Sequence, residues 1–139
     1  MAHVWAKCNG YLNAYTERKK NTLASMKGTI EHEYIFLNKE NEMLDDEMRQ
    51  AAQLMIDVIK NESFDYQFFE QPVKMKYIHE RYKGVVDYFS ISRCGKKLMV
   101  ADYKSGYRYV EVKKNYQLAS YALGIIFDIK VKLFFYLNF

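Results

Sequence analysis

Apolar residues recur at two different periods along this chain, and the change of period divides it in two. In the first half the spacing is helical. Leu44, Met48, Ala51, Ala52, Met55 and Ile59 fall on one side of a helix that runs through Lys60. A stripe of that width packs against a core. Asn41 is the predicted N-cap, and Glu42, Asp45, Asp46 and Glu47 after it suit the positive end of a helix. Upstream, the pattern predicts a helix over residues 2–19, weakened at Gly10, and a short helix over 29–37 preceded by Gly28.

The second half turns to period two. Residues 64–77 predict a strand, with Pro72 arguing for an edge position or a bulge. Residues 82–92 and 97–103 predict two strands around the turn Arg93-Cys94-Gly95-Lys96. Val85, Asp87, Phe89 and Ile91 share one face of the first of these, predicted to face the core. Leu98, Val100, Asp102 and Lys104 share a face of the second. A helix then starts at Lys113 or Asn115 and ends at Phe127, with Leu118, Tyr121, Ala122 and Ile125 on one side. Residues 129–137 predict a last strand, in which Lys130 and Lys132 alternate with Val131, Leu133 and Phe135. Together these make an α/β fold in a single domain, 1–139. It is helical over 1–61, with a sheet and a crossover helix over 64–139.

Composition sharpens this picture. The chain has 139 residues, 50% hydrophobic and 17% aromatic, which excludes a disordered chain and gives enough material for a core. Its net charge of +4 suits a polyanionic partner. Cys8 and Cys94 form neither a CxxC nor a metal-finger spacing, so a reducing cytoplasm is expected. The N-terminus lacks a signal-peptide pattern, and no run of about 18 apolar residues predicts a membrane span.

The chemistry concentrates at the hairpin. Centring its turn between Cys94 and Gly95 sets Asp87 opposite Asp102. Opposed residues bring their Cβ atoms within about 5 Å, and like charges there are destabilising. Lys104 projects from the same face as Asp102. Either Lys104 neutralises the carboxylates as a buried ion pair, or a divalent cation does; both readings stay open on these residues alone. Gln117 and Tyr121 share one helical face. His32 and Glu70 are read in isolation as ordinary structural or solvated groups.

In order, these elements resemble the RecB-like branch of the PD-(D/E)XK nuclease superfamily, which includes the CRISPR-adaptation exonucleases and phage-borne homologues. Gly28 and His32 match its glycine-x-x-x-histidine motif. Gly84-Val85-Val86-Asp87 matches its glycine-x-x-aspartate strand, with Val86 where proline often stands. Asp102-Tyr103-Lys104, followed by Ser105-Gly106, matches its D/E-x-K element, and Gln117 with Tyr121 matches its glutamine-x-x-x-tyrosine helix. The opening residues 2–8 look like the start of a phage branch. The resemblance implies a restriction-endonuclease-like core with a central mixed β-sheet. It implies a DNA nuclease, exonuclease rather than endonuclease, in a bacterial or phage-infected cell.

The resemblance also implies roles. Asp87, Asp102, His32 and the backbone carbonyl of Tyr103 would hold Mg²⁺ or Mn²⁺. Lys104 would position the attacking water, and Gln117 and Tyr121 would hold a phosphate or the water. Glu70 is a candidate outer contact to metal or DNA. Many relatives hold an iron–sulfur cluster on four cysteines, a set this chain lacks, so no cluster is expected. Lys74, Lys76, Arg81, Lys83, Arg93, Lys96, Lys97, Arg108, Lys113 and Lys114 are candidate phosphate contacts, and Tyr107 and Tyr109 candidate base stackers. The alternative is a non-catalytic nucleic-acid-binding or interaction module on the same fold. The apolar end, residues 133–139, is expected to be covered by a second copy or a protein partner.

Overall fold

A computed structural model describes residues 22–76, 78–105 and 115–136, with side chains through residue 128. The predicted first helix, Gly106, Tyr107, Tyr109, Arg108, Lys113, Lys114 and the apolar end lie outside the described residues or side chains. The element order is α1 (Leu23–Leu37), α2 (Asp46–Glu62), β1 (Tyr66–Lys74), β2 (Lys83–Ile91), β3 (Leu98–Ala101) and α3 (Tyr116–Tyr136).

Helix α1 starts earlier than the apolar pattern predicts. The Thr22 hydroxyl accepts from the Ser25 N–H, capping a helix that runs through Gly28 instead of starting after it. Asn38, at φ 52°, closes it in the left-handed conformation. Helix α2 is capped by Asp45, whose carboxylate accepts from the Met48 N–H at 2.9 Å, and not by Asn41. Asn41 makes a turn of its own, accepting from the Met43 N–H. The predicted stripe of α2 does face inward: Leu44, Met48 and Ala52 are buried, and Ala51, Met55 and Ile59 half-buried. Ile30, Leu44 and Met48, with Tyr34 against them, join α1 to α2.

The strands form one antiparallel sheet in the order β1-β2-β3. The central mixed sheet expected from the sequence is therefore corrected to an antiparallel one among the described residues. Pro72 lies on edge strand β1, where its missing N–H is tolerated. The β2–β3 register pairs Tyr88 with Ala101, Phe89 with Val100, Ser90 with Met99 and Ile91 with Leu98. This is the register the turn centre predicts, and Asp87 and Asp102 stand at the next position beyond its last pair. The single core-facing row on β2 is corrected as well. Val85 is 47% exposed, whereas Val86 to Ser90 are buried without a break, because β2 is central and covered on both faces.

Helix α3 starts just after Asn115, whose side-chain oxygen accepts from the N–H groups of Gln117 and Leu118. It does not stop at Phe127 but continues to Tyr136, so residues 129–136 of the predicted last strand are helix instead, and residue 137 lies outside the described residues. Residues 128–135 contain no Gly, Pro or Asn to break the ladder. Extending an established helix is far easier than nucleating a strand. Among the described residues no strand follows α3. Tyr121 and Ile125 of α3 pack with Val73, Met75, Tyr82, Val86 and Phe89 in the main core, Ile78, Ile91, Leu98 and Val100 flanking them. Burying a side chain such as Ile125 contributes about 1.5–3 kcal/mol. No helix among the described residues is long and apolar enough to cross a membrane.

Candidate metal centre

The site forms where α1, the middle of β1–β2, the end of β3 and the start of α3 meet. Gly28 permits the first of these approaches. A Cβ there would stand 2.9 Å from Ser105 Oγ, so the segment after Lys104 lies close against α1. One turn further along α1 comes His32. Gly84 permits the last approach: a Cβ there would stand 2.7 Å from the Tyr121 hydroxyl and 2.6 Å from its ring. At Gly84 the Tyr121 ring thus comes too near for a side chain, whereas at Gly28 the neighbour is a Ser105 hydroxyl that can rotate away.

His32 Nε2 lies 3.1 Å from the Tyr103 carbonyl oxygen and 3.7 Å from Asp87 Oδ2. Its other nitrogen, Nδ1, lies 3.3 Å from Glu70 Oε1. The Tyr103 N–H donates to Asp87 Oδ2 at 2.8 Å. Tyr103 therefore clamps the site with both backbone groups, while its hydroxyl donates to the buried Glu31 at 3.4 Å. Burial and the Glu31 charge push the Tyr103 phenol up to about 12, so it stays a donor.

A second chain of contacts continues from Asp102, whose side chain is 6% exposed. Its Oδ2 meets Lys104 Nζ, and its Oδ1 accepts from Gln117 Nε2 at 3.0 Å. The same Gln117 nitrogen donates to the Tyr121 hydroxyl at 3.2 Å. Burial pushes the Tyr121 phenol up as well. Burial first, and then the charge of Asp102, push the Asp87 carboxyl up to about 6; His32, the Tyr103 N–H and Lys104 pull the other way.

The residues singled out for the site fall in two groups of contacts, His32, Asp87 and Tyr103 in one and Asp102, Lys104, Gln117 and Tyr121 in the other, joined through the backbone of residues 102–104. The Asp102 carboxylate is turned to Lys104 and Gln117 and is not among the ligand atoms grouped at His32. Glu70, given only an outer role from the sequence, stands beside His32. It does so through an irregularity: φ at Glu70 is 48°, in a strand, at the position across from Asp87. Glu31 went unnoticed in the sequence because nothing in its spacing marks it.

The donor set suits a divalent cation. One ligand atom each from His32, Glu70 and Asp87 lies within 4.8 Å of the others. Oxygen donors with one imidazole, and no thiolate, fit a hard to borderline ion such as Mg²⁺ or Mn²⁺. The nitrogen tilts the preference toward Mn²⁺. Facing only acceptors, Nε2 needs a hydrogen to meet the Tyr103 carbonyl, and a cation among these atoms supplies positive charge in its place. An open groove of about 450 Å³, lined by Ser25, Gly28, Thr29, Glu33 and Leu37, reaches His32 and Glu70.

A family model described as a protein of unknown function (DUF2800) matches residues 1–134. No curated protein and no solved structure matches the chain.

Proposed function

We propose, for a chain that belongs to the DUF2800 family, the activity of a divalent-metal-dependent deoxyribonuclease built on a restriction-endonuclease-like core. The observation that carries this reading is the meeting of His32 Nε2, Asp87 Oδ2 and the Tyr103 carbonyl, with Asp102 and Lys104 alongside. His32, Asp87, Asp102 and Tyr103 would hold Mg²⁺ or Mn²⁺. When bound, such an ion polarises a scissile phosphate and makes a nearby water more acidic.

The chain's own groups do the rest. Lys104, 45% exposed at its side chain, is tethered to Asp102 yet open to a ligand. From there it orients the water and meets charge developing on the phosphate. Gln117 holds Asp102 and Tyr121 in fixed relation, so the acceptor geometry survives when Lys104 turns to the substrate. The groove beside His32 gives a nucleic-acid end a way in. The resemblance to RecB-like exonucleases favours release from ends over internal cutting.

The Asp102–Lys104 contact also favours a second reading, a non-catalytic nucleic-acid-binding module in which that pair is structural. Digestion separates the two. End-labelled linear and closed circular DNA, single- and double-stranded, is incubated with Mn²⁺, Mg²⁺ or EDTA. Wild type cleaves with metal, and Asp102→Ala and Lys104→Ala lose at least about a hundredfold. Sparing of circles makes the enzyme an exonuclease. Binding of DNA without cleavage by any of the three proteins selects the module.

A further inference from the structure

We propose that Glu70 is a positioning residue that accepts the Nδ1 hydrogen of His32 and so turns Nε2 toward the cation. This assignment rests on the metal reading above and adds a residue to it. The proximity of His32, Glu70 and Asp87 alone would equally suit Glu70 as a direct ligand. The partners on the two sides of the imidazole decide between these roles. Nε2 faces the Tyr103 carbonyl and Asp87, whereas Nδ1 faces Glu70. The two nitrogens point out of different edges of the ring, so one ion binds one of them. The Nε2 edge already gathers two further oxygen donors, and the Nδ1 edge has a single carboxylate. A carboxylate on the outer nitrogen fixes the tautomer and strengthens the inner nitrogen as a donor.

The backbone supplies a second observation. Pairs on either side, Phe69 with Tyr88 and Gln71 with Val86, keep one register. Between them Glu70 alone adopts φ 48°, an uncommon conformation for a residue with a Cβ. Strain of this kind collects at ligand sites. Here it marks the residue whose carboxylate crosses to α1. His32 is further steadied by edge contacts with the Phe36 and Tyr103 rings, at 5.6 and 5.7 Å between centroids. Glu70 is thus set against a ring already confined, where the choice of tautomer is what remains.

The test is titration calorimetry of the full chain with Mn²⁺ alone, without nucleic acid. Glu70→Ala is expected to weaken binding about 10- to 100-fold. Glu70→Gln keeps an oxygen that can accept from Nδ1 and retains most of the affinity. Nitrogen NMR of the His32 ring with Mg²⁺ is expected to place the hydrogen on Nδ1 in wild type and in Glu70→Gln. Equal loss in Gln and Ala, or a hydrogen found on Nε2 with the ion bound, overturns the assignment in favour of a direct ligand. Wild type and Glu70→Ala binding equally tightly overturns it outright while leaving the metal reading intact. Wild type that binds no Mn²⁺ overturns both.

Discussion

At Asp87 the folded chain holds its proton up to about pH 6, whereas an unfolded aspartate releases it near 4. Between those values the folded state carries more protons than the unfolded one. The contribution of this group to stability is therefore fully present below about pH 4 and falls as pH rises through 6. Two units correspond to about 2–3 kcal/mol. Thermal unfolding in EDTA, compared between wild type and Asp87→Asn, should show the variant gaining on wild type from pH 4 to 6, with a constant gap above. Mn²⁺ should restore wild type above pH 6 and do nothing for the variant. Parallel pH profiles for the two proteins would sink this account of Asp87. Glu31 lies outside what could be read at this scale, and Glu70 is legible there only as an outer contact. Their roles come from a left-handed backbone and a contact across the fold, and neither leaves a periodic mark in the sequence.

The elements differ in how much of them the sequence discloses. The β2–β3 register follows from the turn centre, because Gly95, at φ 68°, fixes the one position that bends back. The ends of α2 were harder: Asn41 and Asp45 both cap backbone N–H groups, and only packing decides which begins the helix. Residues 129–136 are helix although Lys130 and Lys132 alternate with apolar neighbours, because that alternation spans too few residues to exclude a helical period. Helix α3 carries its own prediction at Gly124. Alanine there gains up to about 1 kcal/mol of helix propensity. Its Cβ, however, would lie 2.3 Å from Val73 Cγ1 and 3.2 Å from Met75 Cγ. Overpacking costs about 1–3 kcal/mol, so the packing term wins. Urea unfolding of Gly124→Ala should give a lower midpoint than wild type, and a raised midpoint would show that α3 stands off from β1.

Over the whole molecule, positive charge gathers at one end of the sheet. Lys74 and Lys83 are direct cross-strand partners, an unfavourable placement for like charges, and Lys76 and Arg81 stand in the connection between them. None of the four has an ion-pair partner among the described residues. Arg93, by contrast, is paired with Asp65, and Lys97 lies over the Phe64 ring. Four steps along β2 lead from Lys83 to Asp87, about 13 Å at strand rise. Under the nuclease reading this end holds the backbone of a bound strand. Lys74→Ala combined with Lys83→Ala should lower the slope of log affinity against log salt by about 1.4–1.8, without changing sequence preference. An unchanged slope would place the nucleic acid elsewhere.

Glu70 and Pro72 have an effect beyond the site they border. They sit on β1, an outer strand, and an outer strand offers unpaired N–H and C=O groups on which a foreign chain can add itself. Proline removes one of those donors, and the left-handed backbone at Glu70 interrupts the row of regular pairs at that one position. The opposite outer strand, β3, is only four residues long. Among the described residues neither border of the sheet is therefore an easy template for cross-β stacking, and the irregularity that brings a carboxylate to His32 lies on one of those borders.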